Sequence, residues 1–226
     1  MNMNLLVADV VFEPSAAMRR EVMAGTLAAR SLPPTVEAVR LVLQDVYVKR
    51  HGELNRAEVQ VVTVVTDGIS AEPIQLCSET FEGVKKWSHL TLGEGGITLY
   101  RTDAQRIPQY LDYRILITEL DGDIRAIGAM LDEVRQDEQF NAARTALLAA
   151  AAVAAPPAAL ITATSDLALN LLARVLKANK DDQLLLVRGS FDNAFDNLGT
   201  TLGPITKGNE RADITYQVQA KLADAD

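Results

Sequence analysis

The chain has 226 residues, a formal net charge of −8 and a pI near 4.9. An acidic surface repels phosphate backbones, which argues against nucleic acid as a partner, and the apolar content of 48% is enough for a sizeable core. The single cysteine, Cys77, excludes an intrachain disulfide scaffold. Met1 to Phe12 has no basic n-region or small-residue cleavage site and carries Asp9 inside its apolar run, so it reads as a strand rather than a signal peptide. The expectation is a soluble cytoplasmic protein.

Leu5 to Phe12 fits a buried strand. Residues 14–34 form a long connection ending at Pro33–Pro34. Within it, Met18 to Arg30 reads as a short helix with a basic cluster of Arg19, Arg20 and Arg30. Val36 to Arg50 is rich in β-branched residues and predicts a long strand. His51 to Asn55 makes a turn, and Glu58 to Thr66 returns as the hairpin partner, with Val59, Val61 and Val65 on one face. Asp67–Gly68 ends that strand.

Ile74 to Phe81 and Gly95 to Arg101 are weaker strand candidates, the second preceded by the turn Glu94–Gly95–Gly96. In Leu111 to Glu119, Leu111, Tyr113, Ile115 and Ile117 point inward while Asp112, Arg114 and Thr118 point outward. Leu184 to Phe191 is a short apolar run. Ile214 to Leu222 alternates most cleanly, with Ile214, Tyr216, Val218, Ala220 and Leu222 on one face. These eight strands, without a recurring strand–helix–strand pattern, predict one antiparallel β-sandwich domain over residues 1–226.

An α-helical insertion is expected over residues 123–180, between the sixth and seventh strands. Asp123 caps a first helix with Ile124, Ile127, Leu131 and Val134 on one stripe. Gln139 to Ala154 is a second, alanine-rich helix, broken by Pro156–Pro157. The third carries Leu160, Thr164, Leu167, Leu171, Leu172, Val175 and Leu176 and ends at Lys177, Asn179 and Lys180. Thr145 to Thr164 has no charged residue. Its alanines and its two prolines favour a hairpin packed on itself or on the sandwich over a membrane span.

Catalytic groupings do not emerge. His51, His89 and Cys77 have no metal-ligand spacing. His51 falls in a turn and is expected to be solvated, His89 in a loop, and Cys77 in an apolar strand as a small core residue. Ser190 lacks the second glycine of a nucleophile elbow, and the glycine turns have no lysine placed to hold phosphate. The expectation is a non-enzyme.

One cluster remains. Glu119, Asp121 and Asp123 end the sixth strand, and Asp181 and Asp182 open the seventh. If the insertion loops out of one edge, its two ends meet and five carboxylates converge, a set of hard oxygen ligands suited to calcium. The competing reading gives Asp123 to a helix cap, and Asp121–Gly122 and Asp181–Asp182 to turns.

Leu43 to Arg50 (LQDVYVKR) and Ile117 to Gly128 (ITELDGDIRAIG) resemble two stretches of the C2 family, an eight-stranded calcium- and phospholipid-binding sandwich. Val46 stands where that family has proline. The second stretch is similar to its third calcium loop, with Glu119 and Asp121 at the paired acids. Asp45 and Asp67 are candidates for a second pair. The resemblance implies a C2-like sandwich with calcium as the ligand, although sandwiches of this type also serve as protein-interaction modules.

Three functions follow as expectations. The first is a non-catalytic binding or assembly module. It would engage a protein partner or a second copy of itself through residues 138–179, with the acidic rim as a calcium site. The second is peripheral association with phospholipid. The third is a metal-dependent enzyme using the acidic cluster.

Overall fold

The computed structural model describes residues 10–12, 36–67, 75–102, 107–108, 110–120, 138, 141–142, 145 and 183–222. Among these residues the chain forms ten strands: β1 (Val10–Phe12), β2 (Val36–Val48), β3 (Ala57–Thr66), β4 (Gln75–Val84), β5 (Ser88–His89), β6 (Ile97–Arg101), β7 (Tyr110–Glu119), β8 (Gln183–Asp192), β9 (Ile205–Gly208) and β10 (Ala212–Leu222). One sheet has the order β1-β8-β7-β3-β4. The other has β5-β2-β10-β9, with β6 also paired to β2. A short helix, α1 (Asn193–Asp196), and a 3-10 turn (Asn197–Gly199) follow β8.

The mainly-β, two-sheet architecture matches the sequence expectation, with three corrections. The strands number ten rather than eight, because β5 and β9 are too short to leave a periodic signal. The expected hairpin of β2 with β3 does not exist. After β2 the chain crosses to the other sheet, so β2 pairs with β10, β5 and β6 while β3 pairs with β4 and β7. Finally, β1 joins β8 in parallel, Val11 opposite Val187, so the first sheet is not wholly antiparallel. The basic cluster of Arg19, Arg20 and Arg30 lies outside the described residues. So does the helical insertion 123–180, except Glu138, Asn141, Ala142 and Thr145, which are helical.

One apolar core lies between the sheets. Val59, Val61 and Val65 of β3, Leu111, Tyr113, Ile115 and Ile117 of β7, and Leu185, Val187 and Phe191 of β8 face it from one side. Leu41, Leu43, Val46, Ile214, Tyr216 and Val218 of β2 and β10 face it from the other. Tyr113 stands at the centre. Its hydroxyl meets that of Tyr216 at 3.0 Å, and its ring stacks on Phe191 at 5.6 Å. A buried phenol needs a partner for its polar end, and this pair supplies one across the interface. The alternation of β10 holds for Ile214, Tyr216 and Val218, while Ala220 and Leu222 run out into solvent. At Gly96, with φ +79°, a Cβ would fall 2.1 Å from the Leu43 carbonyl oxygen, so only glycine fits the turn before β6.

The opposite face of the first sheet is also buried, and it mixes aliphatic side chains (Val62, Val64, Leu116, Leu186) with polar ones. Asp112, Arg114 and Thr118, expected to face outward, do lie on that face, but Arg114 and Thr118 are 0% exposed. Arg114 Nη1 donates to Asp112 Oδ2 at 2.5 Å. Register sets Arg114 directly opposite Arg188 on β8, an unfavourable like-charge pair. Burial and Arg114 together lower the Arg188 pKa, against the pull of Asp112.

Tyr110, at the end of the same face, has its pKa raised well above the ordinary 10.0 by burial and by the carboxylates of Asp67 and Asp112. A raised folded pKa means that the native state holds the proton more tightly. Stability is therefore full below pH 10 and falls as pH rises beyond it. Chemical denaturation between pH 8 and 11 should show this loss, and Tyr110→Phe should flatten it. An unchanged alkaline slope in that variant would refute the assignment.

Candidate functional site

The chain leaves β7 at Glu119 and re-enters the same sheet at Gln183, the register partner of Thr118. Both ends of residues 121–182 are therefore anchored on adjacent strands at one rim. The ends of β2 and β9 and the starts of β3 and β10 converge there as well.

Side chains tie this rim together. Asn209 Oδ1 accepts from the backbone N–H groups of Arg211 and Ala212 at 2.7 and 3.0 Å, while its Nδ2 donates to the Leu184 carbonyl at 2.8 Å. Lys49 Nζ donates to the Asn209 carbonyl and to Asp213 Oδ1. Arg211 Nη1 donates to the Gln183 carbonyl at 2.9 Å, and its own carbonyl accepts from Lys49 and Arg50 N–H. These bonds join the two sheets at the rim, because Gln183 and Leu184 belong to one and residues 209–213 to the other.

Of the five carboxylates expected to gather here, Glu119 alone lies among the described residues. Asp121, Asp123, Asp181 and Asp182 lie outside them. Glu119 is buried and accepts from Gly52 N–H at 2.7 Å and Glu53 N–H at 3.0 Å. It fixes the turn after β2 by giving its charge two backbone donors. Among the described residues no three His, Cys, Asp or Glu side chains group as metal ligands. Asp45 instead accepts from or shares a proton with His89 Nδ1 at 2.7 Å. Asp67 accepts from Tyr100 Oη at 2.7 Å at the far end of β3.

The same turn overturns the expectation for His51. Its side chain is 0% exposed and stands 4.0 Å from Glu119 Oε1, and among the described residues neither ring nitrogen has a hydrogen-bond partner. His51, Glu119, Arg50, Gly52, Leu184, Glu210 and Arg211 line a cavity of about 290 Å³. Nothing in the sequence marks Arg50, His51 and Arg211 as neighbours, since the first two sit in a loop and the third lies some 160 positions further on, just before β10. The only hint is the polar spacing His-Gly-Glu, which reads as an ordinary turn.

The other residues singled out from the sequence play local roles. His89 lies in β5, not a loop, and packs on Tyr47 at 4.6 Å between ring centroids. Cys77 is half-buried against the core, and burial together with Glu79 pushes its thiol pKa up, away from nucleophilic use. Ser190 is buried opposite Asp112.

The fold and the rim define a mainly-β protein of two packed sheets with a polar cavity at one end. No family model matches the chain, and no curated protein matches it. Among the described residues no helix is long and apolar enough to cross a membrane.

Proposed function

We propose that this is a cytoplasmic, non-catalytic binding and assembly module that works from the rim where residues 121–182 leave and rejoin the first sheet. The observation that carries the reading is the pairing of Thr118 with Gln183 beside a cavity walled by a buried histidine that has no hydrogen-bond partner among the described residues. Buried polar groups are normally satisfied, so a buried ring without a partner calls for one, such as a water, an ion or a ligand. The partner surface is residues 138–179, whose charge-free run from Thr145 to Thr164 suits close contact with a second copy or another protein.

Light scattering on the purified chain across a concentration series tests this. The expected result is a concentration-dependent rise in mass that is abolished by Leu147→Glu/Ala151→Glu. A mass fixed at that of the monomer, or a saturable hydrolytic activity lost on replacing one carboxylate, would overturn it.

A second reading, calcium-bridged association with phospholipid on a C2-like fold, draws on the same strand pairing. That pairing puts Glu119 beside the strand that Asp181 and Asp182 precede in sequence. Glu119 would serve calcium only with the lone pairs left by Gly52 and Glu53. Calorimetric titration of calcium into wild type and Asp121→Asn/Asp123→Asn separates the two readings.

A further inference from the structure

We infer that the rim cavity is a binding site for a small oxyanion, a carboxylate or a phosphoryl group, held between Arg50, Arg211 and His51. The inference rests on the reading of this rim as a binding surface and names the ligand class that the surface takes.

Size comes first. At about 290 Å³ the cavity is at the lower end of the range for small-molecule sites, so it suits a compact group rather than an extended ligand.

Charge comes next. Among the described residues four charged side chains line the cavity: Arg50, Arg211, Glu119 and Glu210. Glu119 faces two backbone N–H donors, which already offset its charge. Arg211 spends one Nη on the Gln183 carbonyl, a neutral partner, and forms no ion pair among the described residues. Arg50 is exposed at the mouth, and its guanidinium bonds to no carboxylate among the described residues. Guanidinium groups bind planar and tetrahedral oxyanions through paired N–H donors, and two of them here flank one cavity. Glu210, exposed at the mouth, opposes an anion.

Donor chemistry completes the case. An imidazole has at least one N–H donor in either protonation state. Glu119 Oε1 stands 4.0 Å from His51 Nδ1, beyond hydrogen-bond reach. The His51 ring is wholly buried and, among the described residues, has no partner, which costs stability, so a ligand oxygen that accepts from it is favoured there. A divalent cation fits less well. It would meet two guanidinium groups, and it would find Glu119 engaged by the turn.

Isothermal titration of sodium phosphate and of sodium acetate into the full chain, against sodium chloride at matched ionic strength, tests the proposal. Wild type should give saturable heat with at least one of the two anions, and the stronger one identifies a phosphoryl or a carboxylate source. Arg50→Ala should weaken binding about tenfold, since an exposed arginine is removed without touching the core. Glu210→Gln should tighten it by about threefold, because it removes the opposing charge at the mouth. Arg40→Ala, on the far stretch of β2, should change nothing. No saturable heat from either anion would overturn the proposal, leaving a site filled by water alone. Weaker binding in Glu210→Gln, or saturable heat with calcium chloride instead, would overturn it in favour of a cation site. Failure of anion binding with concentration-dependent assembly intact sinks only this inference. Anion binding without assembly sinks the assembly reading and leaves the site standing.

Discussion

Asp112→Ala should be the most damaging single substitution in the protein, lowering stability by about 3–5 kcal/mol, the usual cost of stripping one partner from a buried ion pair. Arg114 is wholly buried and donates to Asp112 at 2.5 Å, and Arg188 stands directly across from it on β8. Removing the carboxylate takes away a negative charge that offsets two arginines facing each other across one strand pair. The Arg188 pKa, already lowered by burial and by Arg114, would fall further once the favourable field of Asp112 is gone. For a chain of this size such a loss is a fall of roughly 10 °C in Tm. Adding Arg114→Met should restore a large part of it, because the repulsion disappears with the second charge. Thermal melts of the two single variants and the double variant measure the coupling directly. Additive losses would show that the three groups do not act together.

Glu119→Ala should cost about 2–3 kcal/mol, less than the sum of two charge-assisted bonds, because Gly52 and Glu53 face water and regain it. Its signature is local as well as global. Amide exchange at Gly52 and Glu53 should accelerate well beyond that of the β7–β8 pairs, since the carboxylate is what holds those two N–H groups. Glu119→Gln keeps one acceptor and should lose about half as much. Unchanged protection at Glu53 in Glu119→Ala would show that the turn is held by something else.

The periodicity of the sequence carried most of the strands. In β7, and in β10 as far as Val218, the side chains predicted to face the core do face it, because a period of two reports which side of a sheet a residue occupies. It does not report which strand lies alongside. Val36–Val48 and Ala57–Thr66 look like a hairpin because they are adjacent and joined by a short polar turn. They are instead the two layers of one core, and their true partners, β10 and β7, are distant in sequence. Alternation is equally silent on whether the second face of a sheet is wet, which is why Arg114 reads as a surface residue and is buried.

The site was legible only in part. Glu119 stands at the end of β7 as its place after an alternating run predicts, and the adjacency of residues 119 and 183 follows from a segment looping out of one edge. The role of Glu119 is not legible, because it depends on a turn some 66 positions earlier in the chain. His51 was missed for the same reason. It sits in the turn that Glu119 holds from another strand, and a histidine beside a glycine in a polar loop has no local mark of that.

The two histidines of the chain make the decisive measurement simple. Long-range nitrogen–proton NMR spectra of the imidazoles, recorded while sodium phosphate and then sodium acetate are added, follow both rings at once. His89, hydrogen-bonded to Asp45 on the surface, is the internal reference. With at least one of the two anions, the ring nitrogens of His51 should shift saturably while those of His89 stay in place. A His51 signal that ignores both anions, or movement confined to His89, would contradict a ligand site at the rim.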